Sequence, residues 1–241
     1  MKSLNVFYNN NEKSYNVYKA LVEKALYHGF KINSKFSEDA FTNVCIGGDG
    51  SSIRAGHETN FASIPFIGTL GFFQEIHSHE IDRFLVKLKN DHYTISKLYL
   101  IKAKANSREF YAINDFVVSS KNHSISKIIV DIDGNHLENF AGDGLIVSTP
   151  AGSTAYNFSV GGSILYQELY GYQLSPIAPI NTKAHRSLLN SIVLSNKETL
   201  TMSASENCQL IVDGYKIEEK IDNIEFSMPD YYWKNLKDKF L

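Results

Sequence analysis

The sequence has 241 residues, 43% of them hydrophobic and 21% charged, with a formal net charge of −2. This composition is typical of a globular protein long enough for one large domain or two modest ones, and it lacks the basic surface that a nucleic-acid partner requires. No apolar run approaches the roughly 18 residues of a membrane helix, and residues 1–5 lack the apolar core of a signal peptide, so we expect a cytoplasmic protein without a membrane partner.

Residues 1–92 predict a small α/β domain with a parallel sheet. Its predicted elements are strands at 4–8, 44–46 and 64–67, and two helices that are capped at Ser14 and Ser78 and end near Gly29 and Asn90. The ligands of such sheets bind at the carboxyl ends of the strands. A glycine-rich loop at 47–52 follows the second strand and therefore has the position expected of a binding site.

The glycine loop has the sequence Gly-Gly-Asp-Gly-Ser-Ser at 47–52. Glycine adopts positive φ at little cost, and a helix that starts at Ser51 or Ser52 would favour phosphate at its N-terminus. A carboxylate at Asp49 repels phosphate unless it holds a metal ion or takes the proton of an attacking hydroxyl, as in phosphoryl transfer. A strand-to-helix turn in which Asp49 caps the helix is the structural alternative.

Residues 93–228 predict an all-β domain, because short apolar or alternating runs are separated by turns. The Asp-Gly pairs that begin at Asp133 and Asp213 predict hairpins. The segment 229–241 has aromatic and apolar residues near helical spacing, and we expect it to pack back on the body. The predicted strand runs are 94–103, 110–119, 127–132, 144–149, 192–194, 209–212 and 224–228.

A second motif occupies 142–162 and begins Gly-Asp-Gly-Leu-Ile-Val-Ser-Thr-Pro-Ala-Gly-Ser-Thr-Ala-Tyr. Its glycines and hydroxyl residues would provide a surface for a flat ligand. Tyr156 adds an aromatic ring that can stack on a base or a nicotinamide ring. A Ser/Gly-rich loop without a binding function is the alternative.

A third motif lies in the strand predicted at 110–119. Asn114 and Asp115 are adjacent there and would point to opposite faces of the strand. Asn114 can donate and accept at a ribose hydroxyl, whereas an ionised Asp115 only accepts. An edge strand would tolerate both residues without a binding function.

In their order along the chain, the glycine loop, the Asn114-Asp115 pair and the motif at 142–162 resemble the motifs of the bacterial NAD kinases. The resemblance runs from about residue 2 to the Tyr-Trp-Lys segment at 232–234. The resemblance implies transfer of a phosphoryl group from ATP, with Mg²⁺ or another divalent cation, to the 2′-hydroxyl of the adenosine ribose of NAD, giving NADP. Polyphosphate is the alternative donor. The implied fold is a Rossmann-like α/β domain followed by an all-β domain of the β-sandwich type. The implied assembly is a homo-oligomer, a dimer or tetramer, whose sites are shared between subunits.

The resemblance also implies roles for single residues. Asp49 would activate the hydroxyl, within a phosphate loop formed by Gly47, Gly48, Gly50 and Ser51. The implied NAD-binding residues are Gly50, Leu70, Phe72, Asn114, Asp115, Asp143, Ser153, Thr154, Ala155, Tyr156, Ser159, Ala178 and Ile180.

The chain departs from the family pattern at three places. Asp115 replaces the usual glutamate and Ser51 the usual threonine, so the charge and the hydroxyl are kept. A few residues that the family carries are absent between Gly68 and Thr69. The short loop leaves open a non-catalytic dinucleotide sensor. A lipid or sphingoid-base kinase shares the glycine loop, although an acyl chain would require an apolar channel in place of the second motif.

No metal site within the protein is expected. Cys45 and Cys208 lie in separate apolar runs without the spacing of a metal site, which predicts buried, unpaired thiols. Of the histidines weighed as ligands only His77 and His79 are close in sequence, and no third ligand follows at a recognised spacing.

Overall fold

The structure is a computed structural model that describes residues 1–69, 78–122, 124–182, 187–218 and 222–238. The chain divides into two compact units, one formed by residues 1–97 with the segment from Trp233 onward and one by residues 98–232. Among the described helices, none is both long enough and apolar enough to cross a membrane.

The first unit contains three helices and a six-stranded sheet. The helices are α1 (Glu12–Tyr27), α2 (Asp49–Glu58) and α3 (Ile81–Lys89). The strands are β1 (Ser3–Tyr8), β2 (Lys31–Ile32), β3 (Thr42–Ile46), β4 (Phe66–Gly68), β5 (Tyr93–Tyr99) and β18 (Tyr232–Asp238). Their order is β2-β1-β3-β4-β18-β5, and β1, β2, β3 and β4 pair in parallel. The predicted parallel βαβ pattern around the glycine loop is therefore confirmed.

Helix α1 begins earlier than the sequence predicted. Its N-cap is Asn11, whose Oδ1 accepts a hydrogen bond from the N–H of Ser14 at 2.9 Å, so Ser14 is capped and is not the cap. The predicted stop at Gly29 is confirmed, because Gly29 follows the helix with a φ of +83°. Helix α3 begins at Ile81, after a 3₁₀ turn that starts at the predicted cap Ser78.

The C-terminal segment forms strand β18, although its aromatic and apolar residues have near-helical spacing in the sequence. The indole of Trp233 stacks on the ring of Phe66 with centroids 3.6 Å apart. Leu236 points into the hydrophobic core that β1, β3 and β4 share with α1 and α3. A strand suits these residues because both apolar side chains are buried within the sheet layer.

The second unit is built from two antiparallel six-stranded sheets. One has the order β10-β9-β14-β17-β6-β7, formed by β6 (Ile101–Ala105), β7 (Arg108–Ala112), β9 (Ser126–Ile132), β10 (Asn135–Gly142), β14 (Leu200–Ala204) and β17 (Asn223–Ser227). The other has the order β13-β12-β11-β8-β15-β16, formed by β8 (Asp115–Ser120), β11 (Gly144–Ser148), β12 (Gly171–Ile177), β13 (Ile192–Ser195), β15 (Cys208–Val212) and β16 (Tyr215–Ile217). A short helix, α4, spans Tyr156–Ser159.

Both sheets of this unit contribute to one hydrophobic core. Phe116 of β8 and Phe226 of β17 meet across it with ring centroids 5.5 Å apart. The hairpins predicted at Asp133 and Asp213 are confirmed, since β9 pairs with β10 and β15 with β16. The prediction of unpaired, buried cysteines is also confirmed for both residues.

Two predicted strands are each divided in the structure. The run 94–103 separates into β5 and β6, and the run 110–119 separates into β7 and β8. In both cases the chain leaves one sheet and enters another. Apolar residues continue through the first break, at Leu100, so the apolar pattern alone could not reveal it, whereas the polar Asn114 lies in the second break.

Candidate active site

The glycine loop follows strand β3 directly. The N–H of Gly47 donates to Oγ1 of Thr69 at 2.9 Å. A Cβ on Gly47 would lie 2.2 Å from Oγ of Ser51, and its φ of +139° is one that side chains rarely allow. The turn itself therefore requires glycine at position 47.

Helix α2 begins at Asp49, two residues before the predicted start at Ser51. Its N-cap is Gly48, which is extended, so Asp49 lies in the first turn and does not cap the helix as the structural alternative held. The positive end of the helix dipole favours a carboxylate there. Asp49 is half-buried, whereas Gly48 and Gly50 are exposed, so the carboxylate and the loop main chain are both accessible to a ligand.

The Ser51 side chain links the glycine loop to the segment that follows β1. Ser51 is buried, and its Oγ accepts a hydrogen bond from Nδ2 of Asn9 at 2.8 Å. Asn9 follows β1, so this bond joins the carboxyl ends of two parallel strands. Leu70 and Phe72, the predicted NAD contacts after the short loop, lie outside the described residues.

The third motif lies at the break between β7 and β8. Asn114 lies in the break and Asp115 is the first residue of β8, so the prediction that one strand contains both is wrong. The carbonyl oxygen of Asn114 accepts a hydrogen bond from the N–H of Thr149 at 2.9 Å, and the Thr149 hydroxyl donates to the carbonyl of Ile113. Thr149 of the second motif therefore hydrogen-bonds to the main chain of the third motif at residues 113–114.

Glycines of the second motif pack against the protein's own backbone. A Cβ on Gly152 would lie 2.0 Å from the carbonyl oxygen of Asn114, and one on Gly144 would lie 2.4 Å from that of Val118. The sequence predicted that glycines here would press against a ligand. At these two positions the close neighbour is instead the main chain of β8 or of the break that precedes it.

A cavity of about 680 Å³ opens beside these segments, and every residue that lines it belongs to the second unit. Its size lies within the range of about 300–1,000 Å³ for small-molecule sites. The lining brings four predicted NAD-binding side chains together with Tyr156. The lining residues are Asn114, Asp115, Val117, Ser119, Ser120, Ser124, Asp143, Ala155, Tyr156, Ile177, Gln209, Ile211, Asp213 and Gly214.

Ser153 is fully buried in the structure. Its hydroxyl donates to the carbonyl of Pro150 at 2.7 Å and accepts from the N–H of Leu165 at 3.0 Å. Asn157 is buried beside it and accepts from the hydroxyl of Ser175 at 2.6 Å. These side chains are hydrogen-bonded within the protein and support the loop that carries Tyr156.

The other predicted residues of this segment are accessible. Thr154 and Ser159 are exposed, Ala155 is half-buried and lines the cavity, and Tyr156 is 48% exposed. The ring of Tyr156 is therefore available for contact with a flat ligand, as the sequence predicted.

Three further predicted residues lie near the ends of β11 and β12. Asp143 is exposed, lines the cavity and donates its N–H to the carbonyl of Ile177 at 3.0 Å. Ala178 is exposed with a φ of +43°, and Ile180 donates its N–H to Ala141 at 2.7 Å. Ala178 and Ile180 are not among the residues that line the described cavity.

Asp115 is buried beside a second carboxylate. Burial raises the pKa of Asp115 to about 7, and the nearby charge of Asp213 adds to the rise. Sequence reasoning missed Asp213 as a site residue, because the Asp-Gly pair was interpreted only as a hairpin turn. The structure places it in the lining of the cavity.

Among the described residues, no three acidic, histidine or cysteine side chains come close enough to hold a metal ion together.

Comparison with known proteins gives a consistent result. A family model described as the ATP-NAD kinase C-terminal domain matches residues 113–231. The chain is 44% identical to an NAD kinase of Finegoldia magna over 268 aligned residues, which cover all of this chain and 98% of the relative. It is 27% identical to an NAD kinase of Staphylococcus aureus, with 85% of this chain and 86% of the relative covered.

The alignment with the Finegoldia protein is longer than the 241 residues of this chain, so the relative has residues that this chain lacks. Two solved structures share the fold. Yeast NADH kinase complexed with NADH has a TM-score of 0.82 at 17% identity, with 98% of this chain and 83% of that chain covered. An NAD kinase from Archaeoglobus fulgidus in complex with ATP has a TM-score of 0.80 at 21% identity, with 99% and 94% covered.

Proposed function

The chain belongs to the NAD kinase family, and from that membership we propose that Asp49 activates the acceptor hydroxyl for phosphoryl transfer. The enzyme is a phosphotransferase with an alcohol acceptor: it transfers the terminal phosphoryl group of ATP to the 2′-hydroxyl of the adenosine ribose of NAD and forms NADP. The observation that carries the role of Asp49 is its position within the glycine loop, in the first turn of α2.

In the proposed step, the 2′-oxygen attacks the terminal phosphorus of ATP while the bond from that phosphorus to the bridging oxygen breaks. The proton of the hydroxyl passes to the carboxylate of Asp49, and ADP leaves. The apparent conflict between a carboxylate and a phosphate loop is thereby explained.

The glycine loop would hold the triphosphate through its main chain. Gly48 and Gly50 are exposed at the start of α2, where free N–H groups favour phosphate oxygens. Mg²⁺ or another divalent cation would enter with ATP and neutralise charge on the phosphates. We propose ATP as the donor; polyphosphate is the alternative that a donor comparison tests.

The cavity of the second unit is proposed to hold NAD. Asn114 offers an amide that can both donate and accept at a ribose hydroxyl, and Tyr156 offers an exposed ring for stacking. The cationic nicotinamide ring suits a lining whose titratable residues are three aspartates and a tyrosine, Asp115, Asp143, Asp213 and Tyr156. We propose the remaining contacts at Gly50, Leu70, Phe72, Thr154, Ala155, Ser159, Ala178 and Ile180, with Ser153 acting through the loop that it supports.

We propose that the first unit is a Rossmann-like α/β domain and that the second unit is a β-sandwich. The parallel sheet of the first unit supports a Rossmann-like α/β domain, and the core shared by two antiparallel sheets supports a β-sandwich.

We further propose a homo-oligomer, a dimer or tetramer, with sites shared between subunits. Exposed apolar side chains at Phe158, Ile164 and Tyr166 support an interface on the second unit. Light scattering of the purified protein should then give a multiple of 27.2 kDa. A fully active monomer would contradict this arrangement.

A coupled assay tests the reaction. The purified protein is incubated with NAD, ATP and Mg²⁺, and an NADP-specific dehydrogenase reads the product. We expect NADP to form from NAD and ATP, and parallel reactions with polyphosphate and with a lipid alcohol test the donor and the acceptor. Binding of NAD without turnover would support the dinucleotide sensor instead, and turnover of the lipid alcohol alone would support the lipid kinase.

A further inference from the structure

Asp213 makes an unusually large number of hydrogen bonds for a hairpin residue. Its Oδ2 accepts from the N–H of Ile113 at 3.0 Å, and its Oδ1 accepts from those of Asn114 at 2.7 Å and Asp115 at 3.1 Å. The N–H of Asp213 donates in return to the carbonyl of Asp115 at 2.9 Å. Four hydrogen bonds therefore join the turn to three consecutive residues at the break between β7 and β8.

A turn elsewhere in the same unit shows that a hairpin does not need this many hydrogen bonds. Asp133 and Gly134 have φ values of +49° and +75°, close to the +45° and +83° of Asp213 and Gly214. The Asp133 carboxylate accepts one main-chain hydrogen bond, from Thr199 at 2.9 Å. Asp-Gly therefore suffices for the type I′ turn. The turn does not require the additional hydrogen bonds of Asp213, which hold the segment 113–115.

That segment is held from two sides. Asp213 binds its N–H groups, while Thr149 donates to the carbonyl of Asn114 and Gly152 lies too close to it for any side chain. Asn114 is outside both strands and has no strand pairing of its own to fix its direction. The direction of the Asn114 and Asp115 side chains into the cavity therefore depends on these contacts.

We propose that Asp213 is a positioning residue of the NAD pocket, which fixes Asn114 and Asp115 by binding their main-chain N–H groups. This inference rests on the proposed function of Asn114 and Asp115 as NAD ligands. An ionised carboxylate only accepts hydrogen bonds, and here it is matched to three main-chain N–H donors at the strand break.

Asp213 also acts on Asp115 through charge. The strands beside Asp115 are β11 and β15. Strand β11 has no titratable side chain, and Asp143 precedes its opposite end. Strand β15 has Cys208 at its far end, and Tyr156 lies further along the chain, beyond the loop after β11. Asp213 is the charged group that raises the pKa of Asp115 beyond the effect of burial. Removal of this charge therefore lowers the pKa of Asp115.

The test compares Asp213→Asn with Asp133→Asn, which makes the same exchange in the matched turn outside the cavity. Asparagine leaves an NH₂ group facing at least one N–H donor, so KM for NAD should rise about tenfold or more, while KM for ATP stays close to that of the wild type. The inflection near pH 7 in the profile of kcat/KM for NAD should move to lower pH, and it should be absent in Asp115→Asn. Asp133→Asn should behave as the wild type in each measurement.

Each contrary outcome has one meaning. A wild-type KM for NAD and an unshifted inflection in Asp213→Asn would overturn the inference, as would equal rises in KM for NAD and ATP together with a lowered melting temperature. Absence of turnover in the wild type and in both variants would contradict the proposed function and this inference with it. If Asp213→Asn does not fold, Asp213→Glu keeps the charge but displaces the oxygens, and a wild-type KM for NAD there would overturn the inference.

Discussion

Gly152 approaches Asn114 so closely that a Cβ at position 152 would lie 2.0 Å from the Asn114 carbonyl oxygen and 2.6 Å from its Cα. The neighbouring atoms are main chain and cannot rotate away. The absence of a side chain at Gly152 is therefore a condition for the geometry of the proposed NAD pocket.

Gly152→Ala should accordingly destabilise the protein and weaken NAD binding. Overpacking of this kind costs about 1–3 kcal/mol, which corresponds to about 2–4 °C in Tm per kcal/mol for a chain of this size. Thermal unfolding checks the stability, with Gly50→Ala as control because Gly50 lies within α2 and a Cβ there meets nothing within 4 Å. Equal Tm values for the two variants would show that the 149–152 loop can move aside.

The exposed ring of Tyr156 is predicted to stack on part of NAD. Loss of a stacked base costs about 1–3 kcal/mol, so Tyr156→Ala should raise KM for NAD about tenfold, and Tyr156→Phe should stay near the wild type. Tyr27→Ala is the control, since Tyr27 is an exposed aromatic residue of α1 in the first unit and does not line the cavity. Similar KM values for NAD in the two alanine variants would show that the ring of Tyr156 does not stack on NAD.

Asp115 should make the stability depend on pH. Its pKa is raised to about 7 in the folded protein from an ordinary value of 3.8, so between these values the folded state keeps a proton that the unfolded state loses. Stability therefore falls as the pH rises from about 4 to about 7, by up to about 4 kcal/mol, and changes no further above that range.

Urea unfolding of the wild type and Asp115→Asn at pH 4.5, 6 and 8 measures this effect. Asparagine cannot ionise, so the variant should gain stability relative to the wild type as the pH rises. A difference that stays constant across the three pH values would show that Asp115 is ionised throughout.

Both thiols should be inert in the native protein. Burial raises the pKa of Cys45 to about 12, which leaves about one thiolate in ten thousand at pH 8, and Cys208 is buried as well. Iodoacetamide should therefore label neither cysteine until urea unfolds the chain, and then it should label both. Rapid labelling of Cys45 in the native protein would contradict its burial in β3.

Local signals in the sequence were enough to predict several elements. The Asp-Gly pairs at 133 and 213 demand positive φ at two successive positions, and both are hairpins in the structure. Gly29 ends α1 for the same reason. The start of α2 was placed too late because serine is a common N-cap, whereas here an extended Gly48 precedes the helix and offers no side-chain signal.

Long-range contacts determine what the sequence did not reveal. The break at Asn114 is held by Asp213, 99 positions further along the chain. Strand β12 was missed because Gln173 and Ser175 interrupt its apolar pattern, and both are buried by hydrogen bonds to the loop of the second motif. The hydroxyl of the buried Ser153 likewise accepts from the N–H of Leu165, twelve positions further along the chain, and the resemblance that implied a ligand contact for Ser153 did not reveal this bond.

The central claim is that the Asp49 carboxylate takes the proton of the acceptor hydroxyl. The most direct measurement is kcat for NAD phosphorylation by Asp49→Asn beside the wild type, with NAD affinity measured calorimetrically on the same samples. Glu12→Gln is the matched control, because it removes a first-turn carboxylate from α1 and not from the glycine loop. We predict that Asp49→Asn loses at least about 10²-fold in kcat while NAD affinity changes much less, and that Glu12→Gln keeps wild-type kcat. Equal turnover by Asp49→Asn and the wild type would contradict the account.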